Sequence, residues 1–278
     1  MSSLKSELIY LCERVARKLD LPLISRVYMP EPHPAADKDT EFGVVVLEDG
    51  SAGLYYAWMG VSQSGMNQRY AAREFAGMKP IELAQFFHAD NEADRSLGLA
   101  AINAISQFTF RKTGYKLNRA GNSMGELNAK PGDHIGMVGY FPSLVKRLRA
   151  QKVRVTVIEK KAEFVQNDGL VEVTLDIKAL KLCNKILSTS TVLLNDSVDE
   201  LLTHTKQAET LVMLGPTAGF FPDPFFERGV SSIGGSSIID ADKAISGLNH
   251  EEGLGENADK YIIKKNNYPG LEVLLASL

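Results

Sequence analysis

Apolar residues recur along this chain with two different periods, and the change of period divides it. Residues 4–19, LKSELIYLCERVARKL, set Leu8, Leu11, Cys12, Val15 and Leu19 on one face of a helix. Residues 23–28 read as a strand. EFGVVVLEDGSAGLYYAWM, residues 41–59, holds two β-rich runs around Asp49-Gly50, the signature of a hairpin. Tyr55 and Tyr56 are adjacent there, so one enters the core and the other takes the opposite face. Residues 29–40 form a proline-rich polar loop, and 61–79 show no clear period. Pro80 opens a short helix through Phe87, followed by His88. A second helix over 92–108 carries Leu97, Ala100, Ala101, Ala104 and Ile105. A helix, a small antiparallel sheet and a helix pair make an α+β arrangement.

Residues 111–132 are poor in aliphatic side chains and rich in Gly and Asn, which places a domain boundary at 112/113. Beyond it, strands and helices alternate. DHIGMVGYFPSLVKRLRAQKVRVTVIEK, residues 133–160, reads as strand, glycine turn, amphipathic helix and strand, a βαβ unit. VEVTLDI (171–177) is an extra strand by its alternation, and Lys185–Ser188 a third strand of the series. Ser197 and Glu200 have capping-box spacing before a helix over 198–206. Thr210–Leu214 is a fourth strand, 224–228 a short helix, and Val230–Ile233 a fifth strand followed by Gly234-Gly235. Asp240 starts a helix, 247–260 is a polar loop, and 269–278 forms a last helix. The expected fold class is α/β: an N-terminal α+β domain, 1–112, packed on a Rossmann-like parallel α/β domain, 113–278.

Composition narrows the function. The chain has 278 residues, is 44% hydrophobic and 23% charged, and carries a formal charge of −3. That balance is ordinary for a globular protein and leaves no footprint for nucleic acid or an anionic membrane. There is no 18-residue apolar run to span a membrane and no signal-peptide core near the start. Cys12 and Cys183 stand alone in distant segments, which fits a reducing cytoplasm and gives no C-x-x-C site.

Parallel sheets bind ligands at the carboxyl ends of their strands. With strand order 3-2-1-4-5, the switch point lies between strands one and four. It brings the Gly139-Tyr140-Phe141 turn beside Gly215-Pro216-Thr217, with Glu159 one strand over. A dinucleotide fingerprint starting at Gly139 needs glycines at 141 and 144, where Phe141 and Leu144 stand. Glu159, 20 residues after Gly139, matches the spacing of a ribose-binding acid but does not restore the fingerprint. The histidines, His33, His88, His134, His204 and His250, show no i,i+3 or i,i+4 pair, so no helical zinc motif is present. Asp133-His134 opens a strand, where it serves local backbone. Ser188 to Thr191 is rich in hydroxyls but lacks a histidine near in sequence, and such hydroxyls cap the next helix. Asn195 precedes that helix and suits either capping or ligand contact. Asn103, among small apolar residues, must find hydrogen bonds: it either ties two elements together or faces a ligand. Phe220, Phe221, Phe225 and Phe226 read as helix-to-sheet packing.

Five segments in order, LGLAAINAIS, GMVGYFPSLVKRL, VTVIEK, TVLLNDSVDELL and LVMLGPTAGFFPDPFFERGV, resemble the prokaryotic family labelled "putative heavy-metal chelation". The resemblance covers nearly the whole chain. It implies a Rossmann-like domain of unknown function behind a domain shaped like the N-terminal domain of enolase, with a site in the cleft between them. Carried over, that site comprises Gly139, Tyr140, Phe141, Glu159, Asn195, Gly215, Pro216, Thr217 and Asn103. In that family a Thr-Gly pair often ends the third strand. Here Ser188-Thr189 stand there, and a side chain in place of glycine narrows the crevice. The resulting expectation is a cytoplasmic protein that binds a small ligand, a heavy-metal ion or metal chelate included, in the interdomain cleft. The alternative is an enzyme acting there on a nucleotide- or adenosylmethionine-like ligand. The expected partner is the small molecule or metal, not nucleic acid or membrane, and a homodimer remains open.

Overall fold

Ser3 starts the first helix by accepting the amide of Ser6, and α1 runs Leu4–Lys18 with Leu4, Leu8, Cys12 and Val15 fully buried. The structure, a computed structural model, describes residues 3–30, 42–57, 67–70, 74–120, 127–250 and 253–278. Most of the expected loop at 29–40 and much of 61–79 lie outside the described residues, as does His33.

Strands β1 (Ile24–Tyr28), β2 (Phe42–Leu47) and β3 (Ala52–Tyr56) form an antiparallel sheet in that order. Its two faces are covered by different parts of the chain. Val45, Leu47 and Tyr55 join the cluster around α1, while Val44, Val46 and Leu54 pack with Leu248 and Ile245. Burial on both sides explains why FGVVVL is continuously apolar. Tyr55 is the buried member of its pair and donates its hydroxyl to the Tyr28 carbonyl at 3.2 Å. Tyr56 is half-buried and meets Phe42 edge-on.

Helix α2 (Pro80–Ala84) runs into a 3-10 turn ending at His88. Helix α3 (Glu92–Lys112) follows, capped by the Asn91 side chain, which accepts the Asp94 amide. Every residue of α3 from Ala93 to Phe110 is buried, as expected for a helix enclosed on all sides. Small residues permit this. A Cβ at Gly53 of β3 would lie 2.0 Å from the Ala100 carbonyl oxygen, and one at Gly98 would lie 2.1 Å from the Phe87 nitrogen.

The second sheet orders its described strands β4-β12-β11-β10-β9-β5-β6-β8-β7. They are β4 (Asn118–Arg119), β5 (His134–Val138), β6 (Arg154–Ile158), β7 (Gln166–Asn167), β8 (Val171–Thr174), β9 (Lys185–Thr189), β10 (Thr210–Leu214), β11 (Ser232–Ile238) and β12 (Ala258–Lys264). From β8 through β11 the pairings are parallel, and β7, β12 and β4 add antiparallel edges. Helices α4 (Pro142–Ala150), α5 (Val198–Thr203), α6 (Asp223–Glu227), α7 (Ala241–Asn249) and α8 (Leu271–Ala276) connect or follow them.

Three expectations change. The Val171 run is no accessory: β8 holds the third place, so the parallel strands follow the doubly wound order 3-2-1-4-5-6. The neighbour of β5 is therefore β9, and the switch point joins Gly139 to Thr189 instead of Gly215. Second, β11 runs through Gly234-Gly235. A Cβ on Gly234 would meet the Leu214 side chain at 2.4 Å, and one on Gly235 the Ala218 carbonyl at 2.4 Å, so these glycines serve close approach within the strand. Third, Ser197 makes no side-chain cap. Its hydroxyl donates to Asn195, and α5 ends at Thr203.

At the amino edge of the central strands, Lys185 on β9 forms a buried ion pair with Asp133 at 2.8 Å. Asp133 also accepts from Asn184 Nδ2 and the Lys130 amide, and Lys185 donates to the Asn128 carbonyl. Burial pushes the Asp133 carboxyl up, but these hydrogen bonds outweigh it and hold its pKa at about 2. Cys12 and Cys183 are buried free thiols. No helix of the described residues is long and apolar enough to cross a membrane.

Candidate functional site

The register fixes what meets at the carboxyl edge. Val138 pairs with Ile158 on one side and Ser188 on the other, while Leu214 pairs with Thr189 and Gly234. One step past these pairs, Glu159, Gly139 and Thr189 stand side by side. Gly139 has φ +87°, and a Cβ there would press on the Thr189 methyl at 3.1 Å. The side chain at Thr189 thus narrows the switch point, as the sequence implied. Its hydroxyl accepts the Thr191 amide and caps the 3-10 turn Ser190–Leu193.

Two backbone amides of the turns at this edge are already engaged. The Gly139 amide donates to the Ile158 carbonyl and the Gly215 amide to the Gly234 carbonyl, both at 3.0 Å. The turn glycines shape the edge; their own N–H groups extend the sheet. Glu159 is half-buried, with Oε1 accepting the Lys160 amide at 2.7 Å and Oε2 unpartnered among the described residues. Tyr140 and Phe164 lie with rings parallel within 2° and centroids 6.3 Å apart, and Phe164 is 44% exposed. Phe141 stands at the N-cap of α4 without a side-chain cap.

Beside this group, Thr217 is buried, and its hydroxyl shares a 2.6 Å hydrogen bond with Ser190. Ser190 also lies against Gly215, where a Cβ would be 2.1 Å from its Oγ. Pro216 is half-buried between them. Asn195 is committed locally: Oδ1 accepts from the amide and hydroxyl of Ser197. Its Nδ2 has no partner among the described residues.

Helix α3 closes this edge through one polar stripe. Residues 95, 103 and 107 lie multiples of four apart, hence on one face. Arg95 Nε donates to the Leu194 carbonyl at 2.7 Å. Asn103 Nδ2 donates to the Leu54 and Thr217 carbonyls at 2.8 and 2.9 Å. Gln107 Nε2 donates to the Gly219 carbonyl and to Tyr261, whose hydroxyl donates to the Ala218 carbonyl. Asn103 therefore ties the small sheet, α3 and the loop after β10 together. Its Oδ1 stays buried without a partner among the described residues. Sequence reasoning singled out Asn103, read Ser190 only as part of a capping hydroxyl run, and passed over Arg95 and Gln107. The readable signal was an arginine and a glutamine at four-residue spacings from Asn103 on a helix rich in small apolar residues.

Among the described residues no three His, Cys, Asp or Glu side chains gather to hold an ion. Glu159 brings a carboxylate to the Gly139 edge. His134 hydrogen-bonds Thr156, and His250 contacts the Ser246 carbonyl.

Fold and edge together define a doubly wound α/β protein with a second sheet clasped to it by one buried helix. The comparisons carry this further. The chain matches the family model DUF364, "putative heavy-metal chelation", over residues 123–266, and DUF4213, of the same description, over residues 40–106. The chain belongs to this family. An uncharacterised protein of Methanocaldococcus jannaschii is 28% identical over 225 residues, covering 76% of this chain and 84% of that protein. A crystal structure from Pyrococcus horikoshii, of unknown function and from the DUF364 family, aligns with TM-score 0.69 at 21% identity, covering 94% of this chain and all of the other. One from Desulfitobacterium hafniense, of the same family and also of unknown function, gives 0.65 at 17%, covering 93% and 98%. These likenesses show the shared fold.

Proposed function

We propose that this protein binds a small polar ligand at the carboxyl edge of its parallel strands, where α3 closes over the loops after β9 and β10. The observation that carries the reading is the half-buried Glu159 carboxylate beside Gly139 at the switch point, with one oxygen unpartnered among the described residues. Glu159 is the principal ligand contact, and Asn195 Nδ2 a second. Gly139, Gly215 and Pro216 shape the wall, Tyr140 and Phe141 line it, and Thr217 and Asn103 fix its floor. The family description and the missing three-donor cluster are reconciled by a ligand that brings its own donor atoms. A metal already held in an organic chelate needs an acceptor and a shaped wall, not a full set of protein ligands.

The same reading divides the chain near Thr113, where α3 ends, into an enolase-N-terminal-like unit and a Rossmann-like unit. It also places the protein in the cytoplasm, in keeping with its two unpaired buried thiols. A second reading, an enzyme acting on a nucleotide- or adenosylmethionine-like ligand, is favoured by the 3-2-1-4-5-6 order and by an acid ending the second strand.

Thermal-shift screening of the wild type and Glu159→Gln tests both, since a ligand bound only to the native state raises apparent stability. The expected result is a rise with metal chelates that Glu159→Gln loses. A response confined to nucleosides or adenosylmethionine selects the second reading. An identical response in Glu159→Gln removes the site assignment. Elemental analysis of protein purified without chelator or affinity metal checks for a metal carried from the cell.

A further inference from the structure

We propose that Arg95 is an anion-recognition residue, and that the ligand of this edge carries a carboxylate or phosphate that pairs with its guanidinium. The proposal rests on the reading that a small ligand docks at this edge. It names the charge that ligand must bear.

Arg95 sits in the first turn of α3 and is 5% exposed. Its contacts are all to neutral oxygens: Nε to the Leu194 carbonyl, and one terminal nitrogen to the carbonyls of Ala89 and Asp90. The other terminal nitrogen, Nη2, has no partner among the described residues, and no carboxylate there lies within ion-pair distance. The carboxylates of Asp90 and Glu92, close in sequence, make no ion pair with it among the described residues, and two further acids are engaged elsewhere. Asp94 accepts from Tyr70, Arg69 and Asn91, and Asp196 pairs with Lys5 at 2.7 Å. A guanidinium stays charged at every working pH, so burial cannot neutralise it. Buried charges are ordinarily paired, and this one has no carboxylate partner among the described residues.

Its position supplies the ligand. The carbonyl it grips belongs to Leu194, the residue before Asn195, in the turn that continues β9 past the switch point. The start of α3 adds a second positive contribution, because the amides of a first helical turn favour negative charge. With Nε and one terminal nitrogen engaged, the guanidinium fork keeps the N–H groups of Nη2 to donate to an oxygen of a carboxylate or phosphate. The bland alternative is a clamp that only holds residues 89–90 and 194 in place. It predicts that loss of Arg95 weakens the fold without touching anion affinity.

Isothermal titration of the full chain with inorganic phosphate, and separately with citrate, at ionic strength fixed by sodium chloride, distinguishes them. The wild type is expected to bind at least one of them saturably. Arg95→Lys, which keeps the charge but loses the fork, weakens that binding on the order of tenfold, and Arg95→Gln on the order of a hundredfold. Circular dichroism establishes that each variant is folded before titration. A readout that needs no folded variant is the Arg95 Nε–Hε resonance of the wild type, which should shift saturably with the anion. Absent saturable binding in the wild type, an unmoved Nε–Hε resonance, or unchanged affinity in either folded variant overturns the proposal. Such failure leaves any Glu159-dependent chelate response standing. Loss of that response with phosphate binding intact would instead remove the chelate reading and keep the anion site.

Discussion

Replacing Lys185 by methionine isolates the buried ion pair at the foot of β5 and β9. The substitution keeps the length of the stem and removes the charge. It leaves the Asp133 carboxylate buried with only Asn184 and the Lys130 amide to hold it. Removing one partner of a buried pair costs about 3–5 kcal/mol. The wild-type pair also has its own pH signature. The Asp133 pKa is about 2 in the folded chain against 3.8 for an ordinary aspartate side chain. Such a gap is worth about 2 kcal/mol, at roughly 1.4 kcal/mol per unit. The folded pKa is the depressed one. That stability is therefore present above pH about 4, roughly half lost by pH 3, and gone as pH falls through about 2. Urea unfolding of wild type, Lys185→Met, Asp133→Asn and the double variant, at pH 7 and pH 3, measures these quantities. Lys185→Met should lose about 3–5 kcal/mol at pH 7 and less at pH 3, where its stranded carboxyl can take a proton. The double variant should recover much of the loss, since neither charge remains to be desolvated. A loss below about 1 kcal/mol at pH 7, or equal losses at both pH values, would refute the account.

Asn103→Ala should cost about 2–4 kcal/mol, because the buried Leu54 and Thr217 carbonyls each lose a donor; calorimetry reads it as a lower Tm. Gly53→Ala should give little folded protein, since the new Cβ meets the backbone of Ala100 and Ala104 at 2.0 and 2.5 Å, whereas Gly50→Ala meets nothing and bears only the strain of φ +83°; expression and circular dichroism separate the two. The His134 ring should titrate below the usual histidine range, because burial and then Arg154 outweigh the favourable Leu182 carbonyl and Glu172. NMR titration checks this, and the sign means its contribution is held above the unfolded pKa and lost as pH falls below it. A fragment of residues 1–112 should stay soluble poorly, because Val44, Val46 and Leu54 lose the cover of Leu248 and Ile245; sedimentation of the fragment would show it.

Much of the fold was legible where period and punctuation agreed. The βαβ unit over 133–160 follows from Gly139, Pro142 and two apolar runs, and β5, α4 and β6 begin and end within a residue or two of those marks. Helix α3 was visible from its small apolar residues. The misplaced strand order has one cause. Val171–Thr174 alternates like a half-exposed strand, so nothing local marked it as a member of the parallel series. Gly234-Gly235 resembled a turn because the side chains needing their space, Leu214 and Tyr261, are distant in sequence. The site was legible as a place. Spacing put Glu159 beside Gly139, but the partner across the switch point depends on sheet order. What Arg95 and Gln107 contact across the joint could not be read, since Leu194, Gly219 and Tyr261 are remote in sequence and two of the three are met through their backbone carbonyls.

The polar stripe of α3 addresses carbonyl oxygens, and every residue type has one. Leu194, Thr217 and Gly219 are held through their backbones. The side chains of Leu194 and Thr217 can therefore change without removing these acceptors, whereas a Cβ at Gly219 would press on Asn103 at 3.0 Å. Chains of this fold can vary what the edge accepts while keeping the helix that closes it.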